Sequence, residues 1–138
     1  MWKERYKIGI PKIDQQHKEL FKRSNKLITI VRNDTSLENK VNEIEKLLIF
    51  MEEYVNIHFS DEEQLQKQIN YPKYKAHKKT HSNFKNYIKN VIQRFKNDNR
   101  DKTLIMEFSG RLMTWLINHV ANEDQKISNF LAENNKEE

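Results

Sequence analysis

Histidine is the most informative residue type in this sequence, because all five histidines stand at positions that suit metal binding on helices. Residues four apart lie one turn apart on one helix face, about 6 Å from each other, so both side chains can reach one ion. Imidazole and carboxylate ligands without thiolate suit iron, zinc, copper or manganese, and more than four ligands favour two metals. The candidates are His17, the pair His58 and Glu62, the pair His77 and His81, and His119.

A single buried histidine is more often a core imidazole that is hydrogen-bonded to a neighbour than a metal ligand. Here five imidazoles and a carboxylate would have to satisfy all of their donors and acceptors with one another. That is a heavy demand in a domain whose net stability is about 5 to 15 kcal/mol. A bound metal removes the difficulty, so the sequence predicts a metal centre inside the fold.

The apolar residues recur at alternating steps of three and four, which predicts amphipathic helices whose buried stripes contain the histidines. Two glycines and two prolines in the whole chain agree with long helices and few turns. Between the stripes, "NDTS" at 33–36 offers helix caps, Pro72 suits a helix start, and "NDNRDKT" at 97–103 is typical of a polar turn. The predicted helices are about 12–32, 37–69, 72–96 and 103–132.

Four helices with short connections predict an all-α fold, an up-down-up-down antiparallel four-helix bundle. A chain of 138 residues is long enough for one domain with a real core and too short for two comfortable ones. We therefore expect a single domain over residues 1–138. It comprises a short N-terminal arm at 1–11, the bundle at about 12–132 and a frayed tail at 133–138.

The predicted helices alternate in net charge. Residues 1–33 carry +6, residues 34–70 carry −6, residues 71–102 carry +8 and residues 103–138 carry −3, which together give the net charge of +5. The two basic helices lie diagonally in such a bundle, and the acidic helices between them offset much of their field. This arrangement argues against nucleic-acid binding and against a membrane-surface role, because charge runs are usually solvated faces.

The absence of cysteine excludes disulfides and thiolate metal sites, and it suits a reducing cytoplasm. The N-terminal "MWKERYKIGI" lacks the apolar core of a signal peptide. Charged residues interrupt every apolar run well short of the roughly 18 residues needed to span a bilayer. We expect a cytoplasmic protein without a membrane segment.

Four motifs occur in a fixed order: "IDQQH" at 13–17, "HFSDE" at 58–62, "YPKYKAHKKTH" at 71–81 and "WLINHVANED" at 115–124. This order of a lone histidine, HxxxE, HxxxH and HxxxxD resembles the hemerythrin family, particularly the single-domain bacterial hemerythrins. The resemblance runs from Trp2 to about Phe130. It implies reversible dioxygen binding at a non-haem di-iron centre, in an oxygen carrier, store or scavenger rather than an enzyme.

The resemblance also implies a role for each ligand. His77, His81 and His119 would be terminal ligands of one iron, and His17 and His58 of the other. The two irons would share two bridging carboxylates and a solvent-derived oxo or hydroxo group. The bridging residues would be Glu62 and Asp124.

The iron with two histidines has the open coordination position, and it is where the family binds dioxygen. By resemblance and by position beside the ligands, five residues would wall that site, although plain core packing explains each of them equally well. They are Leu20, Phe59, Trp115, Leu116 and Val120.

Two alternatives use similar residues. A di-iron oxidase of the ferritin-like class uses Glu-x-x-His segments, and no histidine here has a glutamate three positions before it. Peroxide or nitric-oxide chemistry at the same irons stays open. A sensor that acts through a separate partner protein also stays open, since the sequence specifies no protein partner.

The last acidic ligand has two candidates, Glu123 and Asp124. In a regular helix Glu123 lies about 40° around from His119 and Asp124 about 140°, so spacing alone favours Glu123. The residues one turn either side of Asp124 are nearly all apolar, and an aspartate on such a surface needs a partner. The apolar stripe also shifts by one step here, so a π-type widening of the helix would bring Asp124 round. We therefore predict Asp124 as the ligand and Glu123 as its solvent-side neighbour.

Overall fold

The computed structural model describes residues 2–33, 40–98 and 101–136. All regular structure in these ranges is helical, so the predicted all-α class is confirmed. A 3-10 turn at Glu4–Tyr6 precedes the bundle, and a π-helical turn at His119–Glu123 interrupts its last helix. The helices are α1 (Pro11–Asn33), α2 (Val41–Gln68), α3 (Tyr74–Asn97), α4 (Lys102–Asn118) and α5 (Asp124–Lys136).

Each of the first four helices packs against two of the others, as the predicted bundle requires. Helix α1 contacts α2 and α4, and α3 contacts α2 and α4. The apolar core fills the half of the bundle near the C-terminal end of α1, with the rings of Phe95 and Phe108 fully buried there. Burial of each such side chain stabilises the fold by about 1.5 to 3 kcal/mol. The buried histidines occupy the other half.

The N-terminal arm is fastened to the start of α1. The Asp14 carboxylate accepts hydrogen bonds from the backbone N–H groups of Ile8 (2.8 Å) and Gly9 (3.2 Å). Gly9 has a φ of 87°, a conformation that glycine adopts without steric cost. The buried ring of Tyr6 stacks on Phe21 with 5.6 Å between centroids. These contacts hold the arm over the histidine-rich half of the bundle.

The predicted start of the third helix at residue 72 is wrong, because α3 begins at Tyr74. Helix α2 ends in a Schellman motif with Asn70 in the left-handed region at a φ of 57°. The N–H of Asn70 donates to the Lys67 carbonyl and the N–H of Tyr71 to the Gln66 carbonyl. This motif uses the next residues as the turn, so Pro72 precedes the helix instead of opening it.

The predicted end of the last helix at residue 132 is also wrong, because α5 continues to Lys136 in what was expected to be a frayed tail. The predicted polar turn at 97–103 supplies a cap, since Asp101 Oδ1 accepts from Leu104 N at 2.9 Å. Residues 34–39, with most of "NDTS" and the expected helix start at 37, lie outside the described residues. Within the described ranges, no helix has both the length and the apolar character needed to cross a membrane.

Candidate metal centre

The antiparallel helices bring all of the predicted ligands into one buried cluster. Helix α1 provides one histidine near its start, α2 and α3 each provide two residues one turn apart, and the last two residues flank the π-helical turn. None of the seven is more than 4% exposed. They are His17, His58, Glu62, His77, His81, His119 and Asp124.

One half of the cluster contains three histidines around one carboxylate oxygen. Glu62 Oε1 lies 3.3 Å from His119 Nε2 and 3.4 Å from His81 Nε2. The same oxygen lies 3.6 Å from His77 Nδ1. These four residues each offer a ligand atom, and the four atoms lie within 4.8 Å of one another, so the group can hold a metal ion. We call it the three-histidine half.

The other half contains two histidines and two carboxylates. Glu62 Oε2 lies 3.3 Å from His58 Nε2 and 3.6 Å from His17 Nε2. Asp124 Oδ2 lies 3.0 Å from His17 Nε2. These four residues also place their ligand atoms within 4.8 Å of one another. We call this group the two-histidine half.

Both carboxylates lie between the two halves. The two oxygens of Glu62 face different halves, as the distances above show. Asp124 is arranged in the same way, since its Oδ1 lies 3.3 Å from His119 while its Oδ2 contacts His17. A carboxylate with one oxygen toward each group can bind one ion through each oxygen. Glu62 and Asp124 therefore each direct one carboxylate oxygen toward each half of the cluster.

The donor atoms of the cluster fit a cation better than they fit one another. In the described ranges, eight of its buried side-chain atoms have no hydrogen-bond partner, and even the close contact between His17 and Asp124 lacks hydrogen-bond geometry. Each buried polar atom that is left unpaired costs about 1 to 3 kcal/mol. Metal ions would satisfy the carboxylate oxygens and one ring nitrogen of each histidine. The eight atoms are His17 Nδ1 and Nε2, His58 Nε2, Glu62 Oε2, His77 Nε2, His119 Nδ1, and Asp124 Oδ1 and Oδ2.

The two carboxyl groups have opposite electrostatic environments. Burial alone would raise the pKa of Glu62, but the neighbouring His119, His17 and His58 hold it well below its ordinary value. Burial raises the pKa of Asp124 well above its ordinary value, and the adjacent charge of Glu62 raises it further. Without a cation, the site thus carries one carboxylate charge readily and resists the second.

The histidines differ in the same way. Burial opposes the charged form of His17, but the close carboxylates of Asp124 and Glu62 outweigh this and raise its pKa to about 9. Burial lowers the pKa of His119 to about 4 and also lowers the pKa of His58. Neutral imidazole is the form that binds metal, so burial keeps the latter two rings ready as ligands.

The π-helical turn decides which acid enters the cluster. The N–H of Asp124 donates to the carbonyl of His119, five residues earlier, so the predicted widening of the helix is confirmed. Asp124 is fully buried, whereas the Glu123 side chain is 42% exposed. Glu123 is nevertheless not wholly on the solvent side, because its Oε2 lies 3.6 Å from His77 Nε2.

Comparison with known proteins gives the same picture over most of the chain. Residues 8–131 match the family profile described as "Hemerythrin HHE cation binding domain". The chain belongs to the hemerythrin family. The predicted membership, which rested on four short motifs, is confirmed by a match that covers the whole bundle.

Several curated hemerythrins are similar to this chain at about the same level. A bacteriohemerythrin of Clostridium acetobutylicum is 29% identical over 126 residues, 91% of this chain and 96% of that protein. A bacteriohemerythrin of Stenotrophomonas maltophilia is 30% identical over 125 residues, 91% of this chain and 76% of that protein. A myohemerythrin of Theromyzon tessulatum is 30% identical over 131 residues, 94% of this chain and 92% of that protein.

The five predicted wall residues of this hemerythrin-family chain do not share one environment. Phe59 lies flat on His81 with 3.9 Å between centroids, and Trp115 stacks on His119 at 4.4 Å. Both aromatic rings therefore cover the three-histidine half. Trp115 is only partly buried, whereas the other four are buried; these four are Leu20, Phe59, Leu116 and Val120.

The sequence did not predict the residues that accept hydrogen bonds from the Nδ1 atoms of the histidines and so orient the rings. His58 Nδ1 donates to Gln16 Oε1 at 2.7 Å, and His81 Nδ1 donates to Glu63 Oε2 at 2.9 Å. Such hydrogen bonds fix the ring orientation and tune the ligand. Gln16 directly precedes one predicted ligand in the sequence, and Glu63 directly follows another. Being next to a ligand in the chain does not predict a hydrogen bond to a histidine on a different helix.

A third residue of this kind, Gln66, places its side-chain amide 2.8 Å from His77 Nδ1. Gln66 is fully buried and stands four residues after Glu62, so it shares the buried face of α2. That spacing could have predicted a contact between Gln66 and a ligand, because a buried glutamine one turn from a ligand needs a polar partner.

Proposed function

We propose that this chain binds two non-haem iron ions and takes up one dioxygen molecule reversibly, as a carrier, store or scavenger in the cytoplasm. The observation that carries the proposal is the placement of Glu62, whose two oxygens face two different buried groups of histidines. A pair of ions held by one carboxylate is the simplest occupant of such a site. The proposed ligands are His17, His58, Glu62, His77, His81, His119 and Asp124.

Iron supplies, when bound in the ferrous state, the electrons and the open coordination position that reversible dioxygen binding requires. The chain supplies a fixed frame of five imidazoles and two carboxylates. The two negative charges offset much of the charge of two divalent ions, which lowers the cost of holding both in a buried site. Which divalent metal occupies such a donor set depends on site geometry and metal availability more than on ligand type.

The unequal number of histidines determines where the proposed ligand goes. Glu62 and Asp124 face both halves, so the two-histidine half offers one protein ligand fewer, and an ion there would keep a free position. Leu20 stands one turn after His17 on α1, and it is fully buried. With Leu116, Val120 and Phe59, whose ring also lies 5.7 Å from that of His58, it would form an apolar boundary that admits a small neutral molecule and disfavours water. The boundary would protect the bound oxygen from protons and reductants.

The composition of the site supports binding over oxidation. Five of the seven proposed ligands are imidazoles, and no Glu-x-x-His segment occurs in the sequence. Sites that activate oxygen in bundles of the ferritin-like class use mostly carboxylates. A histidine-rich set donates less negative charge to the metals. It therefore stabilises highly oxidised states less well and suits a reversible ligand.

Anaerobic reduction followed by exposure to air tests the proposal. The purified chain should contain about two irons, and its oxygenated form should show a visible charge-transfer band that disappears when oxygen is removed. Repetition of the cycle distinguishes reversible binding from a single oxidation. Stoichiometric zinc with no oxygen-dependent spectrum would overturn the proposal.

A further inference from the structure

One carboxylate at the rim of the centre belongs to neither half. Glu123 Oε2 lies 3.6 Å from His77 Nε2, while the Glu123 side chain is 42% exposed. His77 itself is only 4% exposed, and its Nε2 has no hydrogen-bond partner in the described part of the chain. A solvent-accessible carboxylate therefore faces an unpaired nitrogen of a buried proposed ligand.

A surface cavity leads to the same place. It has a volume of about 260 Å³ and is bounded by residues of α3, α4 and the π-helical turn. His119 forms part of its lining, so this cavity reaches a proposed ligand of the centre. The lining residues are Thr80, Trp115, Asn118, His119, Asn122 and Glu123.

The rest of the centre is closed. His77 and His119 are 4% and 3% exposed, and no other proposed ligand is more than 1% exposed. On the side of Gln16, the Asp61 carboxylate is already engaged by the Gln16 amide at 2.7 Å and by Lys12 at 3.3 Å. The three-histidine half is thus the accessible side.

The chemistry of the cavity suits a cation that is losing its water shell. Hydroxyl, amide and carboxylate oxygens are good ligands for hard divalent cations, and Thr80, Asn118, Asn122 and Glu123 provide all three kinds. Two atoms that each lie about 2.1 Å from one ion can be up to about 4.2 Å apart. The 3.6 Å between Glu123 and His77 meets this condition.

We infer that Glu123 and His77 form a loading site, through which a ferrous ion passes between solvent and the buried centre. The inference rests on the proposed function. Glu123 binds the partly hydrated ion first, the ion is then shared with His77 Nε2, and His119 at the cavity floor receives it next. Lys126, 3.4 Å from Glu123 Oε1, competes with the ion for the carboxylate.

Iron exchange in the iron-loaded full-length chain tests this inference. Release is measured anaerobically as transfer of Fe²⁺ to an excess of a coloured chelator, and uptake as quenching of Trp115 fluorescence when Fe²⁺ is returned. Glu123→Gln should slow both rates about tenfold, since one carboxylate charge no longer stabilises the ion in transit. Because both rates fall together, iron affinity and iron content stay the same. A substitution that merely damaged the fold would accelerate release.

Two further variants distinguish direct binding of the ion by Glu123 from the electrostatic field of the whole protein. Glu107→Gln removes the same charge from an exposed position in α4 beside a neighbouring cavity, and it should leave both rates unchanged. Lys126→Gln removes the competing ammonium group and should accelerate both rates.

Three results would overturn the inference. They are unchanged rates in Glu123→Gln, an equal slowing in Glu107→Gln, and a loss of bound iron in Glu123→Gln, which would make Glu123 a permanent ligand. Failure of the parent chain to bind iron at all is a different result. It would refute the proposed function, and the loading site would fall with it.

Discussion

The two halves of the metal centre lie in contrasting surroundings. The three-histidine half lies beneath a polar cavity, with a rim carboxylate beside it and two aromatic rings stacked on His81 and His119. The two-histidine half is almost wholly excluded from solvent, and Leu20 is buried close to it in the chain. One bundle can therefore combine a route for a charged metal with a closed site for a neutral ligand. Such a division needs two unlike faces around one shared pair of carboxylates.

The hydrogen bonds made by the Nδ1 atoms of the histidines also differ between the two halves. On the three-histidine side, His81 donates to the carboxylate of Glu63, whereas on the two-histidine side His58 donates to the neutral amide of Gln16. A charged acceptor makes an imidazole a stronger electron donor than a neutral acceptor does. We expect the iron of the three-histidine half to favour the ferric state more strongly.

The largest effect should come from removing a carboxylate that the halves share. Asp124→Ala should abolish the paired-iron spectrum, because Asp124 lies against a histidine of each half. Iron content and the visible spectrum are the measurements. Glu133→Ala, an exposed acid on the same helix, is the control and should retain both irons. A chain without Asp124 that kept two irons and the same band would contradict the shared-carboxylate arrangement.

Removing one histidine should affect one half of the centre and not the other. His58→Ala leaves the two-histidine half with a single imidazole, so the iron content should fall from about two to about one per chain. Dioxygen binding should be lost with it, since the proposed open position is in that half. Metal analysis with an oxygen-dependent spectrum measures both. If iron fell to one but reversible oxygen binding survived, the ligand site would have to lie in the other half.

The apolar boundary of the two-histidine half can be tested by shortening one of its side chains while keeping that side chain apolar. Leu20→Ala should lower the free energy of unfolding by about 2 to 5 kcal/mol and speed oxidation of the oxygenated form several-fold, because water reaches the site. Leu48→Ala is the matched control, since Leu48 is equally buried but lies in the apolar half of the bundle. It should cost similar stability in denaturant titrations without changing the oxidation rate. Equal oxidation rates in the two variants would refute a special role for the boundary.

The smallest effect concerns the charged acceptor. Glu63→Gln keeps the hydrogen bond to His81 but removes its charge, so the reduction potential should rise by about 59 mV, which corresponds to a tenfold change for one electron. Gln16→Leu removes a neutral acceptor from the other half, and we expect a smaller shift. Spectroelectrochemical titration of both variants measures the difference. Shifts of equal size would remove this distinction between the halves.

Much of the architecture could be predicted because the helical period is explicit in the sequence. The shift of the apolar stripe near His119 even predicted the π-helical turn, which allows Asp124 to enter the cluster. Helix ends were predicted less well. The Schellman motif at Asn70 moved the start of α3 to Tyr74, and α5 extended into the polar tail.

The hydrogen-bond partners of the proposed ligands could not be predicted in the same way. The hydrogen bonds from His58 and His81 to glutamine and glutamate depend on how neighbouring helices are rotated, which periodicity does not specify. The contact between Glu123 and His77 also joins the π-helical turn to α3. A sequence pattern identifies the buried face of each helix, whereas the pairs that form across helices depend on their packing.

A gas titration tests the central claim most directly. The fully reduced chain is titrated anaerobically with known amounts of dioxygen, while the visible band and the bound iron are measured on the same sample. Two six-coordinate irons that are bound by five histidines and share two carboxylates and one solvent-derived oxygen would have one open position, so the band should saturate at one dioxygen per two irons and reverse fully under vacuum. Saturation at one dioxygen per iron, or a band that does not reverse, would contradict reversible binding at a single open position.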